Sequence, residues 1–153
     1  KRMTGWRKLS QANKNTGENE VELFSMWIDH GRNVDNGSYA YFVSCDGKAP
    51  ERLPEILANT VKVQAAALDG TVEAIFYDAS ARLKTPHGTI SVSAPCALVA
   101  KFDGASVELT AADGLMNRKL RELAVTVDGK PYRLELPAGE LLGKAATKRF
   151  NLQ

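Results

Sequence analysis

The chain has 153 residues, 44% hydrophobic and 25% charged, with a formal net charge of +2. That is ordinary for a globular protein with one sizeable core or two packed β layers. The small, scattered positive excess gives no case for nucleic acid, and no apolar run approaches the ~20 residues of a membrane helix.

The N-terminus, Lys1-Arg2-Met3-Thr4-Gly5-Trp6, has no apolar core of a signal peptide and does not begin with Met. It reads as a mature or excised piece of something longer. A first strand is expected over 20–29. Both of its faces become apolar toward Trp27 and Ile28, which suits a strand covered on two sides. A second is expected over 38–44, around Tyr39-Ala40-Tyr41. The stretch from Pro50 to Pro54 is the expected domain junction, dividing the chain into residues 1–52 and 53–153. A short helix is expected over 54–58, with Pro54 pre-set for its first turn and Asn59 able to end it.

From there the pattern is of short β segments. Strands are expected over 61–68, 72–78, 80–84, 89–93, 96–102, 105–111, 120–127 and 131–136, with a last edge strand near 148–152. The punctuation is Asn36-Gly37, Asp46-Gly47, Asp69-Gly70, Asp103-Gly104 and Asp128-Gly129. Such pairs tolerate the positive φ that tight hairpins require. No long 3.6-residue periodicity appears. The expected class is all-β, in antiparallel sandwich layers.

Little in this sequence looks like an active site. His30, Arg32, Asn33, Tyr39 and Tyr41 lie close together and include types used for proton transfer and for meeting a carboxylate. The simpler expectation is that His30-Gly31 ends one strand, Tyr39-Ala40-Tyr41 begins the next, and the rings pack. His87 reads as an exposed turn residue. Trp6 and Trp27 read as packing aromatics, although such rings also stack on sugars. Gln64 and Asn59 are amides in an apolar stretch and are expected to tie backbone segments together at the junction. Cys45 and Cys96 read as two thiols at least half-buried; neither has a partner at metal-ligand spacing. No metal or other cofactor is expected.

One resemblance organises these fragments. Trp27-Ile28-Asp29-His30-Gly31, Tyr39-Ala40-Tyr41, Ile56-Leu57-Ala58-Asn59-Thr60 and Val63-Gln64-Ala65, in that order, resemble the C-terminal β-region of polysaccharide lyase family 8. That family holds the chondroitin, hyaluronate and xanthan lyases. Thr4-Gly5-Trp6 resembles a segment late in its central domain. Leu136-Pro137-Ala138-Gly139 resembles a closing turn. The chain departs from the family where Ala112-Asp113-Gly114-Leu115 stands in place of a common Ala-Asp-Pro-Thr, and where Phe42-Val43-Ser44-Cys45-Asp46 lacks a common proline.

The resemblance implies that residues 1–52 end a central β-sandwich domain and that 53–153 form a C-terminal β-sandwich. It implies a non-catalytic, supporting part of a secreted or periplasmic bacterial lyase that cleaves uronate glycans by β-elimination. Its partners would be the rest of that lyase, a helical toroid and a central β domain, together with an acidic polysaccharide. The family's catalytic residues lie in the toroid and its interface, so none is carried over. His30, Arg32 and Tyr39 stand as candidate carbohydrate contacts. Two other readings remain open: a free-standing carbohydrate-binding module, favoured if Trp27, Tyr39 and Tyr41 are exposed, and a small lyase using His30 and Tyr39.

Overall fold

The computed structural model describes residues 25–44, 47–48 and 50–152. The segment around Trp6, the first part of the expected 20–29 strand, and Cys45 lie outside them. The chain separates into two compact units, Lys1–Gly37 and Ser38–Gln153.

Among the described residues, ten strands run through the second unit: β1 (Glu55–Asn59), β2 (Val63–Leu68), β3 (Thr71–Phe76), β4 (Leu83–Thr85), β5 (Gly88–Val92), β6 (Cys96–Asp103), β7 (Ser106–Ala112), β8 (Glu122–Val127), β9 (Lys130–Glu135) and β10 (Ala146–Asn151). A 3₁₀ turn, Gly139–Leu141, is the helical element among the described residues. The strands form a six-stranded sheet in the order β1-β2-β3-β6-β7-β10 and a four-stranded sheet in the order β4-β5-β8-β9. All the pairings are antiparallel. The expected all-β sandwich is therefore the observed one.

The period-2 pattern explains how the sheets meet. Val72, Ala74 and Phe76 of β3 point inward and alternate with Thr71, Glu73 and Ile75. The same alternation places Leu98 and Ala100 of β6 and Val107, Leu109 and Ala111 of β7 in the core. Leu123, Val125 and Val127 of β8, Ile90 of β5 and Leu134 of β9 supply the facing layer. Each fully buried side chain of this size contributes about 1.5–3 kcal/mol. Two expected turns are present in full: Asp69-Gly70 and Asp128-Gly129 have positive φ at both positions, as a type I′ hairpin requires. At one open side Tyr132 of β9 meets Phe150 of β10, ring centroids 5.1 Å apart. At the other, β1 and β2 lie beside β4.

Two expectations fail. Residues 54–58 are not a helix; Glu55–Asn59 is strand β1, paired with β2. A segment this short forms too few internal bonds to offset helix nucleation, whereas strand pairing gains a ladder at once. Pro54 sits just before an edge strand, where its missing N–H costs nothing. The Thr60 hydroxyl closes the turn, accepting from the Lys62 and Val63 amides. The second failure is that residues 25–29 and 38–44 are not strands. Their composition is strand-like, but strand propensity is fitness for a pleated, half-covered surface. These residues are exposed.

Candidate functional site

In the first unit, the Asp29 carboxylate accepts a 2.8 Å hydrogen bond from the Gly31 amide. Gly31 and Asn33 both take positive φ, so the chain turns sharply after His30. Gly37 closes this turn: a Cβ there would lie 2.7 Å from Val34 Cγ1 and 3.4 Å from His30 Nδ1. His30 and Arg32 are both exposed in this unit. Tyr39 belongs to the second unit.

There, Tyr39 and Tyr41 lie side by side in a segment without regular secondary structure. Their rings are stacked, 6.2 Å apart and 13° from parallel. They are 58% and 62% exposed, Phe42 is 50% exposed and Val43 73%. Trp27, in the first unit, is 80% exposed. The expectation that these rings are packed is not met.

A chain of side-chain hydrogen bonds holds this segment to the sandwich. Tyr77 Oη donates to Gln64 Oε1 at 3.1 Å. Gln64 Nε2 donates to Asn59 Oδ1 at 3.3 Å. Asn59 Nδ2 donates to the Tyr39 carbonyl at 3.0 Å. The register explains the line. Asn59 pairs with Gln64 and Gln64 pairs with Ile75, so these side chains share the outer face of the six-stranded sheet, and Tyr77 follows two residues on. The two amides do what the sequence implied: they connect β1 and β2 to the preceding segment.

Other reactive types are accounted for structurally. His87 is exposed in the β4–β5 turn, as expected, and its ring stacks on Phe102 with centroids 4.2 Å apart. Cys96 is a free, buried thiol. Burial, helped by the Asp113 charge, pushes it up to about 12. Asp113 is 6% exposed. Its carboxylate accepts from the Leu115 and Asn117 amides, which fixes the loop after β7. Asp78 is held below the usual carboxylate range mainly by the Ser80 amide it accepts from. Among the described residues no group of three His, Cys, Asp or Glu side chains could hold a metal. A groove of ≈ 250 Å³ lined by Leu134, Glu135, Ala146, Thr147 and Lys148 contains none of the candidate residues.

Sequence reading missed one feature. Arg118, Lys119 and Arg121 crowd into the loop between β7 and β8, although the basic residues read as scattered. The run Arg-Lys-Leu-Arg was itself the available signal.

Comparison with known proteins places these observations. Residues 55–121 match the polysaccharide lyase family 8, C-terminal beta-sandwich domain. The match begins with β1 and runs through β7. Over 147 residues the chain is 33% identical to chondroitinase-AC of Pedobacter heparinus, covering 86% of this chain and 21% of that protein. The chain thus spans about a fifth of the length of the curated relative it matches. It also resembles a solved structure of chondroitinase AC lyase, whose active site was revealed by enzyme–oligosaccharide complexes and mutagenesis. That likeness has a TM-score of 0.50 and 32% identity, over 64% of this chain and 15% of the other.

Proposed function

Since this chain carries the C-terminal β-sandwich domain of polysaccharide lyase family 8, we propose that it is a non-catalytic, supporting part of a lyase cleaving uronate glycans of the chondroitin or hyaluronan type. The reaction would be β-elimination, carried out elsewhere in the longer polypeptide. Residues 1–52 would end the central β domain and 53–153 form the C-terminal domain. The partners would be that central domain and a helical toroid, in a bacterial enzyme that is secreted or periplasmic.

The observation that carries this reading is the segment 38–44. It has strand composition, exposed rings, and a backbone carbonyl held by Asn59. Such a segment is suited to being covered by chain outside the sandwich. β-Elimination needs a base, an acid and a carboxylate neutraliser within hydrogen-bonding reach of one substrate. Among the described residues no such set is assembled within either unit.

The test is the rise in ultraviolet absorbance from the unsaturated uronate product. The 153-residue chain should give none on chondroitin or hyaluronan, and the longer polypeptide should give one. Removing β1 to β10 from the longer polypeptide should lower its thermal stability. A rise from the short chain that disappears in His30→Ala or Tyr39→Phe overturns the reading.

A second reading is a free-standing carbohydrate-binding module, with His30, Arg32 and Tyr39 as contacts. The exposed, stacked Tyr39 and Tyr41 favour it. Under it, Tyr39→Ala and Tyr41→Ala weaken glycan binding by the 153-residue chain; under the first reading they destabilise the longer polypeptide instead.

A further inference from the structure

Two loops at one end of the sandwich, residues 114–121 and 136–144, are packed side by side. The Leu136 amide donates to the Arg121 carbonyl at 2.8 Å. A Cβ at Gly143 would come within 2.9 Å of Met116 Cγ. Together the loops present Arg118, Lys119, Arg121 and Lys144, all exposed, against one acid, Glu140.

The other arginines of the second unit all have partners, whereas the lysines Lys84 and Lys101 stand alone as single charges. Arg52, Arg133 and Arg149 are paired with Asp69, Glu122 and Asp103. Arg82 donates to the carbonyls of Ala79, Ser80 and Ala81. Arg118, Lys119, Arg121 and Lys144 make no side-chain hydrogen bond or ion pair with another described residue. The backbone that carries them is nevertheless fixed. Asp113 accepts the Leu115 and Asn117 amides, and the Asn117 side chain accepts the Lys119 amide. Met116 is held at a φ of 50°, a conformation that costs a non-glycine residue about 1–2 kcal/mol. Rigid display of unpaired cations lowers the ordering cost of meeting an anionic partner.

Leu115, Met116 and Leu141, at 75%, 59% and 55% exposure, stand among these charges. The patch therefore offers cations together with aliphatic surface. The loops contain no Phe, Tyr or Trp, so they lack the stacking platform typical of single-stranded nucleic-acid sites. An acidic polysaccharide matches both parts, since its carboxylates or sulfates meet the cations and its C–H faces meet Leu and Met.

We propose that the paired loops 114–121 and 136–144 form a docking surface for an acidic polysaccharide. This rests on the lyase reading for the class of glycan. The surface would retain polymer near the enzyme without contributing to bond cleavage.

The test measures binding of the 153-residue chain to chondroitin sulfate at several salt concentrations. The variant R118E/K119E/R121E, checked for its fold by circular dichroism, should lose about tenfold or more in affinity and show a shallower salt dependence, because each removed cation removes a counter-ion-releasing contact. The control K84E/K101E, on other faces, should change affinity much less. Equal losses in both variants would mean that only net charge matters and would overturn the proposal. So would stronger binding to anionic lipid vesicles or to a single-stranded DNA homopolymer than to the glycan. Lyase assays of the longer polypeptide separate the two ideas. Affinity unchanged in R118E/K119E/R121E, with catalysis present in the longer polypeptide, removes this inference alone, whereas absence of unsaturated product from the longer polypeptide removes the lyase reading.

Discussion

The side-chain amide of Asn59, at the end of β1, donates a 3.0 Å hydrogen bond to the backbone carbonyl of Tyr39. Its own oxygen accepts from Gln64. One residue thereby joins the sheet to the exposed segment before it. Asn59→Asp keeps the acceptor and removes the donor. That change should cost about 0.5–1.5 kcal/mol in urea unfolding, the usual range for one intramolecular hydrogen bond. It should also speed hydrogen exchange or proteolysis within 38–44. Tyr77→Phe, which leaves the Asn59–Tyr39 bond intact, should leave that protection unchanged. Equal protease sensitivity in both variants would refute the link.

Phe76 is 1% exposed and lies in a row with Val63 and Cys96 across three strands. Phe76→Ala should destabilise the sandwich by about 3–5 kcal/mol, through lost transfer energy and the cavity left behind. Against typical total stabilities of about 5–15 kcal/mol, much of the variant should be insoluble at 37 °C. Denaturant unfolding of the soluble fraction checks the magnitude.

Gly143 has a φ of +82°, and a Cβ there would lie 2.9 Å from Met116 Cγ. Gly143→Ala should cost about 1–2 kcal/mol from the left-handed backbone alone, plus whatever displacement of Met116 demands. Met116→Ala should relieve the second part and not the first. Thermal unfolding of the two single variants and the double variant separates them.

Cys96 carries a pH dependence. Burial raises its thiol from an ordinary 9.0 to about 12. Below pH 9 the thiol is protonated in both folded and unfolded chains, so its contribution is fully present. Between these two values the unfolded thiol loses its proton and the folded one keeps it. Stability should therefore fall as pH rises, by about 1 kcal/mol per pH unit from this group. Cys96→Ala should flatten that part of the profile. Urea midpoints of both proteins at mildly and strongly alkaline pH measure it; parallel declines would remove Cys96 as the cause.

The sequence alone determined the fold class and the positions of most strands. Alternation in segments such as Thr71–Phe76 requires one buried and one solvated face, and Asp69-Gly70 and Asp128-Gly129 supply the positive φ their turns need. Both signals are local, so they survive in the bare sequence. It also indicated that Asn59 and Gln64 tie segments together, since amides in apolar stretches must find partners. Tertiary structure decided the rest. Residues 54–58 carry a helical start signal at Pro54, yet Glu55–Asn59 is a strand because β2 offers it a ladder. Residues 38–44 carry strand composition, yet form no strand, because a strand exists only with a partner. Which of the basic residues find acids also depends on packing: Arg133 meets Glu122 across β8 and β9, while Arg118, Lys119 and Arg121 lie on a loop and form no ion pair with any described carboxylate. Pairing is a relation between distant segments, and no single stretch of sequence records it.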